Sequence, residues 1–179
     1  MAFYEKYFKS IYENLQSVES SALDEAVALL KETSDAGGKV IFGGNGGSSA
    51  MASHVAVDLT KNAGIRAINF NESDLITCFA NDYGYEEWIK KSIEFYADPD
   101  DMVVLISSSG RSQNVINAGK IAKERGMKLI TFSGFQSDNP LRALGDLNFW
   151  VDDNEYNIVE MTHHVWLLAM IDRIIASRS

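Results

Sequence analysis

Two short segments of this 179-residue chain combine residue types that bind phosphate. One is the run 43–49, Gly-Gly-Asn-Gly-Gly-Ser-Ser, here called the glycine loop, and the other is 107–112, Ser-Ser-Ser-Gly-Arg-Ser, here called the serine loop. Glycines let the backbone approach a ligand closely. Serine hydroxyls and backbone amides supply the several donors that a phosphate dianion needs for its oxygens. The two loops together predict a site for the phosphate group of a small molecule.

Each loop lies between a short apolar run and a segment with helical spacing. Apolar runs predict buried strands at 40–42, 67–70, 102–106, 129–132 and 147–151. Apolar residues at helical spacing predict helices at 3–20, 21–36, 49–62, 73–79, 84–96, 113–126, 138–144 and 155–177. Strands that alternate with helices predict an α/β fold with a single doubly wound parallel sheet covered on both faces. Both loops then lie at carboxyl ends of strands and at helix N-termini, where such sheets bind anionic ligands.

Composition limits the classes of protein to which the chain can belong. The formal net charge of −9 argues against general nucleic-acid binding, which needs a basic patch, but allows a phosphate held by backbone amides. The only cysteine, Cys78, excludes an internal disulfide framework and indicates a reducing compartment. No apolar run reaches membrane length and residues 1–12 lack an apolar signal core, so a cytoplasmic location without membrane attachment is expected. The length predicts a single domain over 1–179, with leading helices in 1–36 and an α/β core in 37–179.

A dinucleotide-binding fold is the nearest alternative. Residues 44–49 fit the G-x-G-x-x-G pattern only with Ser49 in the last place. An acidic ribose ligand is expected about 20 residues later, and Glu72 lies too far along the chain for that role. A pyrophosphate that bridges two groups needs only the glycine loop, whereas a terminal phosphate also uses the donors of the serine loop. The residues therefore favour a terminal phosphate.

Three motifs together resemble the SIS (sugar isomerase) family, and within it the phosphoheptose (sedoheptulose 7-phosphate) isomerases. They are Gly44-Asn45-Gly46-Gly47-Ser48, the turn Asn81-Asp82-Tyr83-Gly84, and the stretch 106–115 that contains the serine loop. The resemblance spans nearly the whole chain. It implies the SIS fold, a five-stranded parallel sheet with N-terminal oligomerisation helices and a long C-terminal helix, in a homotetramer with shared active sites. It also implies that the chain binds a phosphorylated sugar.

The resemblance implies three groups of substrate-binding residues. These are Asn45, Gly46, Gly47 and Ser48 in the glycine loop, Asn81 and Asp82 in the turn, and Ser107, Ser108, Ser109 and Ser112 in the serine loop, which hold the phosphate. The implied reaction interconverts an aldose and a ketose by moving a proton between C1 and C2 through an enediol. That chemistry needs a base with a pKa near neutrality and an acid for the carbonyl oxygen.

The metal-ligand positions of the family are only partly kept. Family members carry a histidine and a glutamate on the helix after the glycine loop as metal ligands, and the glutamate also moves protons. Here these positions hold His54 and Asp58, still on one helical face, with the carboxylate withdrawn by about 1 Å. The family pattern on the closing helix has a glutamine, a glutamate and a later histidine. Matching on Glu160 puts Val159 and Leu167 in the two ligand positions.

Two remaining protein ligands are fewer than the three usual at a catalytic zinc. We therefore expect no tightly bound zinc of the family kind. Zinc stays open as a shifted site in which His163 joins His54 and Asp58. For Glu160 and His164, the other polar pair on the closing helix, a structural ion pair or a contact between subunits is expected.

The catalytic pair expected from these positions is Asp58 with His163. Helical geometry of about 100° per residue puts His163 between Val159 and Leu167, on the face where the family ligands lie. The alternative is a packed or interfacial His163, because the closing helix is apolar nearly all round.

Three functions stay open at this point. The favoured one is a sugar-phosphate isomerase resembling sedoheptulose 7-phosphate isomerase. The second is a non-catalytic SIS protein that binds a sugar phosphate or a protein partner, whose mark is intact phosphate loops beside altered catalytic positions. The third is an isomerase for a different sugar phosphate in surface-polysaccharide synthesis.

Overall fold

The strands lie where the apolar runs predict them. The computed structural model describes residues 2–178, and its strands are β1 Val40–Gly44, β2 Ala67–Asn69, β3 Met102–Ser107, β4 Lys128–Gly134 and β5 Leu147–Val151. They form a five-stranded sheet in the order β2-β1-β3-β4-β5, and every neighbouring pair is parallel. The predicted α/β fold with a doubly wound parallel sheet is confirmed.

Helices precede, connect and follow these strands. They are α1 Phe3–Leu15, α2 Ser20–Asp35, α3 Gly46–Lys61, α4 Ser73–Tyr83, α5 Trp88–Tyr96, α6 Gln113–Glu124 and α7 Tyr156–Ala176. The predicted turn at residues 81–84 begins inside α4, whose last turn contains Asn81 and Asp82, and Gly84 with φ 94° follows the helix end. Within residues 2–178, no helix is both long and apolar enough to cross a membrane.

The predicted helix over 138–144 is wrong, since this segment forms turns. The Asn139 side chain accepts a hydrogen bond from the backbone N–H of Arg142 at 3.0 Å and donates to the carbonyl of Gln136 at 2.9 Å. Side-chain bonds of this kind offer the backbone an alternative to the helical ladder. The buried Asn139 therefore holds the segment in turns despite its apolar residues.

The two faces of the sheet are covered by different helices. Helices α2, α3 and α7 pack with Phe42, Val104 and Ile106 on one face. Helices α5 and α6 pack with Ile41 and Leu105 on the other. Because side chains alternate along a strand, neighbouring residues serve opposite cores. Helices α3 and α7 therefore lie together on one face of the sheet, next to the carboxyl ends of its strands.

The sheet order places the glycine and serine loops side by side. Strands β1 and β3 are neighbours, with Gly44 in register with Ile106, so both strands end at the same level. The chain leaves β1 toward β2 on one side, whereas β3 is followed by β4 on the other. A reversal of this kind is the switch point at which ligands of open α/β sheets bind.

Candidate active site

A cavity of about 110 Å³ opens at this switch point. Both loops and the first turns of α7 form its wall. Its lining residues are Asn45, Ser48, Ile106, Ser107, Ser108, Ser109, Ser112, Tyr156 and Glu160. Five of these are serines, as expected for a site that donates hydrogen bonds to an anion.

The serine loop is folded compactly between β3 and α6. Ser107 and Ser108 are buried, and the hydroxyl of Ser107 lies 3.3 Å from that of Ser112. The Ser109 hydroxyl accepts a hydrogen bond from the backbone N–H of Arg111 at 3.2 Å. Ser112 is the N-cap of α6, but its side chain makes no capping hydrogen bond. The hydroxyls of the serine loop are thus gathered at the start of a helix whose first N–H groups favour anions.

The glycine loop is tied to its neighbour through Asn45. The Asn45 amide donates to Asn114 at 2.9 Å and accepts from the Asn114 amide at 2.8 Å. The Tyr85 hydroxyl also donates to the Asn45 carboxamide oxygen, at 3.1 Å. Asn114 is buried, so this pair fixes the spacing between the starts of α3 and α6. The sequence analysis did not predict Asn114 or Tyr85 as partners of Asn45. Asn114 lies in the motif at 106–115, and Tyr85 directly follows the motif at 81–84.

Two positions at the start of α3 require glycine for different structural reasons. Gly46 has φ 55°, a left-handed conformation that favours glycine. A Cβ on Gly47 would lie 2.1 Å from Glu160 Oε2, so only glycine lets this carboxylate approach the loop. The glycine loop and α7 are therefore in close contact at the cavity wall.

Glu160 was not expected to contact the serine loop. Its Oε1 accepts a hydrogen bond from the Ser108 hydroxyl at 3.4 Å, in place of an ion pair with His164. The other expected role of this pair, a contact between subunits, stays a prediction. Burial raises the pKa of this carboxyl above its ordinary value, and the hydrogen bond from Ser108 offsets the increase only in part. A half-buried acid thus lies among the serine hydroxyls.

One turn farther along α7 than Glu160, His164 joins His54 and Asp58 of α3 in a hydrogen-bonded row. Asp58 Oδ2 lies 3.3 Å from His54 Nε2, and His164 Nε2 lies 2.9 Å from His54 Nδ1. The row is satisfied when His54 donates its Nε2–H to Asp58 and accepts from the Nε2–H of His164. Burial lowers the pKa of His164, His54 lowers it further, and Asp58 opposes the shift. The row thus begins one helical turn from Glu160, which lines the serine-lined cavity.

The structure does not bring His163 to Asp58, which contradicts the expected catalytic pair. His163 is completely buried, its Nε2 lies 3.0 Å from the carbonyl oxygen of Ser133, and its ring packs edge-on against Phe132. Burial lowers its pKa to about 4. It does share a helix face with Val159 and Leu167, but that face packs into the core. His164, the next residue along, meets His54 instead.

Asn81 and Asp82 lie at the end of α4 rather than on the wall of the cavity in this single chain. Both are exposed, and the Asn81 amide donates to the Asp82 carboxylate at 2.8 Å. Their predicted contact with substrate stays a prediction. The segment does reach the site through Tyr85, which contacts Asn45.

A family comparison agrees with this arrangement of loops and sheet. Residues 3–134 match the model of the SIS domain family. This chain belongs to the SIS domain family. The resemblance in the three motifs and the fold that it implies are both confirmed.

Two curated relatives and one solved structure that this chain resembles carry the name phosphoheptose isomerase. The chain is 32% identical to the phosphoheptose isomerase of Helicobacter pylori (strain P12), over 93% of this chain and 88% of that protein. It is also 32% identical to the phosphoheptose isomerase of Thermodesulfovibrio yellowstonii, over 89% of this chain and 85% of that one. The structure of phosphoheptose isomerase GmhA from Neisseria gonorrhoeae matches with a TM-score of 0.88 and 27% identity, covering 96% of both chains.

The side chains of this SIS-domain protein do not fit a zinc site of the family type. Val159 and Leu167 are buried apolar residues, and a methyl group of Val159 packs close to Gly134. Asp58 and His164 approach opposite nitrogens of the His54 ring, so the three do not converge on one point. In the part of the chain that the structure describes, no group of three or more His, Cys, Asp or Glu side chains is arranged to hold a metal.

Proposed function

We propose that this SIS-domain protein is a sugar-phosphate isomerase that acts on sedoheptulose 7-phosphate. The observation that carries the proposal is the serine-lined cavity at the switch point, with two imidazoles and a carboxylate beside it. The phosphoheptose isomerases among its relatives and structural neighbours support the choice of substrate. In this proposal the cavity binds the phosphate group, and the Asp58–His54–His164 row transfers the protons.

Phosphate binding positions the sugar for the reaction. The serine hydroxyls and the N–H groups at the start of α6 donate to the phosphate oxygens. Glu160 and His164 are four residues apart on α7, which is about 6 Å along the helix axis. A sugar held by its phosphate in the cavity reaches the imidazoles when it extends along α7. Holding the substrate this way converts proton abstraction into a step within one complex.

Proton transfer then uses the imidazole pair as the base. It takes the proton from C1 of the ketose, the electrons of that C–H bond form the C1–C2 double bond, and the carbonyl oxygen on C2 gains a proton. Returning a proton to C2 of the enediol while the C1 hydroxyl loses one gives the aldose. Asp58 accepts a hydrogen bond from His54 and stabilises the charge that the pair acquires. Compared with the catalytic pair expected from the sequence, Asp58 with His163, this proposal keeps Asp58 and assigns the histidine role to His164.

The same proposal includes a homotetramer with shared active sites. Aromatic side chains of α1 are strongly exposed, and α7 adds more apolar surface beside the cavity. They are Phe3, Tyr4, Phe8 and Tyr12 on α1, and Tyr156, Met161 and Val165 on α7. Exposed apolar surface of this extent supports association through the helices of residues 1–36 and α7. Light scattering tests it, and a monomer of 19.8 kDa at micromolar concentration would contradict it.

A non-catalytic sugar-phosphate-binding protein is the second candidate. Val159 and Leu167 favour it, because apolar core residues occupy positions where the resemblance implies metal ligands. Turnover separates the two candidates. We expect the purified protein to isomerise sedoheptulose 7-phosphate, tested in a panel of ketose phosphates with and without a divalent metal. Binding without turnover of any member supports the second candidate, and turnover of a different member reassigns the substrate.

A further inference from the structure

One group in the serine-lined cavity has the wrong charge for a phosphate site. Glu160 shares the cavity wall with Ser107, Ser108, Ser109 and Ser112. An ionised carboxylate repels a phosphate dianion, and the repulsion grows in a partly desolvated site. Its presence here therefore needs a physical explanation.

The contact between Glu160 and Ser108 makes the conflict specific. The Ser108 hydroxyl lies 3.4 Å from Glu160 Oε1. A hydroxyl has one proton to donate. When Glu160 is ionised, Ser108 gives that proton to the carboxylate and offers only lone pairs to the cavity. When Glu160 is protonated, it can donate to Ser108, and Ser108 can donate to a phosphate oxygen.

The surroundings of Glu160 supply no compensating positive charge. On the elements around it, α7 carries Tyr156 and His164 one turn away, α3 carries His54, Asp58 and Lys61, and the serine loop carries Arg111. His54 and His164 bond each other. Within residues 2–178, Glu160 has no ion-pair partner, and its Oε2 lies against the backbone at Gly47.

Arg111 is directed elsewhere. Its guanidinium lies 3.5 Å from the carboxylate of Asp138, and both side chains are exposed. A proton on the Glu160 carboxylate is therefore the most direct way to relieve its repulsion of a phosphate dianion bound in the cavity.

We propose that Glu160 takes up one proton from solvent when phosphate enters the serine-lined cavity, and then donates through Ser108 to the bound phosphate. Glu160 would thus be a substrate-site residue that acts as a neutral acid. This inference rests on the proposed function, because it requires a phosphate in this cavity. Burial already raises the pKa of Glu160 in the free chain, and a neighbouring dianion raises a carboxyl pKa further.

Calorimetry with inorganic phosphate tests the proposal on the full chain. Binding heats in two buffers of different ionisation enthalpy give the number of protons taken up per phosphate bound. The titration of phosphate itself is common to all variants and cancels in their difference. We expect wild type to take up about one proton more than Glu160→Gln at neutral pH. We also expect Glu160→Gln to bind phosphate about tenfold more tightly at that pH, since it carries no charge to neutralise.

Two further variants make the result specific. Glu155→Gln removes the same charge at the exposed N-cap of α7, outside the cavity, and should take up as many protons as wild type. Ser108→Ala removes the hydroxyl through which Glu160 acts, and should reduce the extra proton uptake. This second variant tests the coupling independently if Glu160→Gln folds poorly.

The outcomes separate this inference from the isomerase proposal. Equal proton uptake in wild type and Glu160→Gln overturns the role of Glu160 and leaves the isomerase proposal standing. Weaker phosphate binding by Glu160→Gln at every pH also overturns it, because Glu160 would then act as an ionised ligand. Wild type that binds phosphate with the extra proton but turns over no sugar phosphate supports the inference and overturns the isomerase. Failure of wild type to bind phosphate overturns the inference.

Discussion

His164 Nε2 lies 2.9 Å from His54 Nδ1, so α7 and α3 place two imidazoles in direct contact beside the serine-lined cavity. Asp58 contacts the other nitrogen of the His54 ring at 3.3 Å. A carboxylate that orients one imidazole while a second imidazole completes the row is an arrangement suited to proton transfer. The first prediction follows from this row.

Substitution of His164 by alanine should lower kcat for sedoheptulose 7-phosphate by about 100-fold or more, since general acid–base groups contribute on that scale. Phosphate binding should remain near the wild-type value, because His164 does not line the cavity. Asp172→Ala, a change at an exposed position on the same helix, serves as the control and should leave kcat near wild type. Steady-state kinetics with phosphate calorimetry measures both quantities. An unchanged kcat in His164→Ala would exclude the imidazole pair as the base.

The double substitution Ser109→Ala with Ser112→Ala should weaken sugar-phosphate binding strongly. Each lost donor to a charged group costs about 1.5–3 kcal/mol. The matched control is Ser137→Ala, an exposed serine outside the cavity, which should bind like wild type. Isothermal calorimetry measures the dissociation constants. Equal affinity in the double variant and the control would end the assignment of the serine loop to phosphate.

Gly110→Ala should destabilise the fold and weaken phosphate binding. Gly110 has φ 61°, and an added Cβ would lie 1.9 Å from the Asn139 Oδ1 atom that holds the 139–142 turn. The matched control is Gly126→Ala, where φ is 71° but an added Cβ meets nothing within 4 Å. The control should lose about 1–2 kcal/mol from backbone strain alone. Gly110→Ala should lose more than the control in urea unfolding, and an equal loss would contradict the predicted clash.

The free energy of unfolding should fall as the pH drops from about 6.5 toward 4. Burial lowers the pKa of His163 to about 4 in the folded chain, whereas an unfolded histidine titrates near 6.5. The unfolded state therefore binds more protons across this window, so lowering the pH favours unfolding. The contribution amounts to about 3 kcal/mol over the whole window. Urea unfolding against pH checks it, and the His163→Leu variant should lose this part of the pH dependence. If the free energy of unfolding depends on pH identically in wild type and His163→Leu, the buried His163 is not the cause.

Protein purified without a chelator should contain well under one zinc per chain. Asp58 and His164 meet opposite nitrogens of His54, and the positions implied for the remaining ligands are the buried Val159 and Leu167. Elemental analysis of wild type and His54→Ala provides the measurement. Stoichiometric zinc that is lost in His54→Ala would show that the side chains rearrange around a metal.

The sequence by itself determined the architecture and the place where the glycine loop and the serine loop meet. Apolar runs such as 102–106 are long enough for a strand and too short for a helix, so they predict buried strands directly. Each loop follows such a run and precedes a helical pattern. Because parallel strands end at the same edge of a sheet, the glycine loop and the serine loop had to meet once β1 and β3 were neighbours.

Only the tertiary structure decided which polar side chains enter the site. His163 and His164 are adjacent in sequence, and α7 is apolar nearly all round, so periodicity does not mark its buried face. Packing of α7 against the sheet and α3 buries His163 and turns His164 toward His54. The contact of Glu160 with Ser108 joins positions 52 residues apart. Such contacts depend on how the helices dock on the sheet, and local sequence patterns carry no information on that docking.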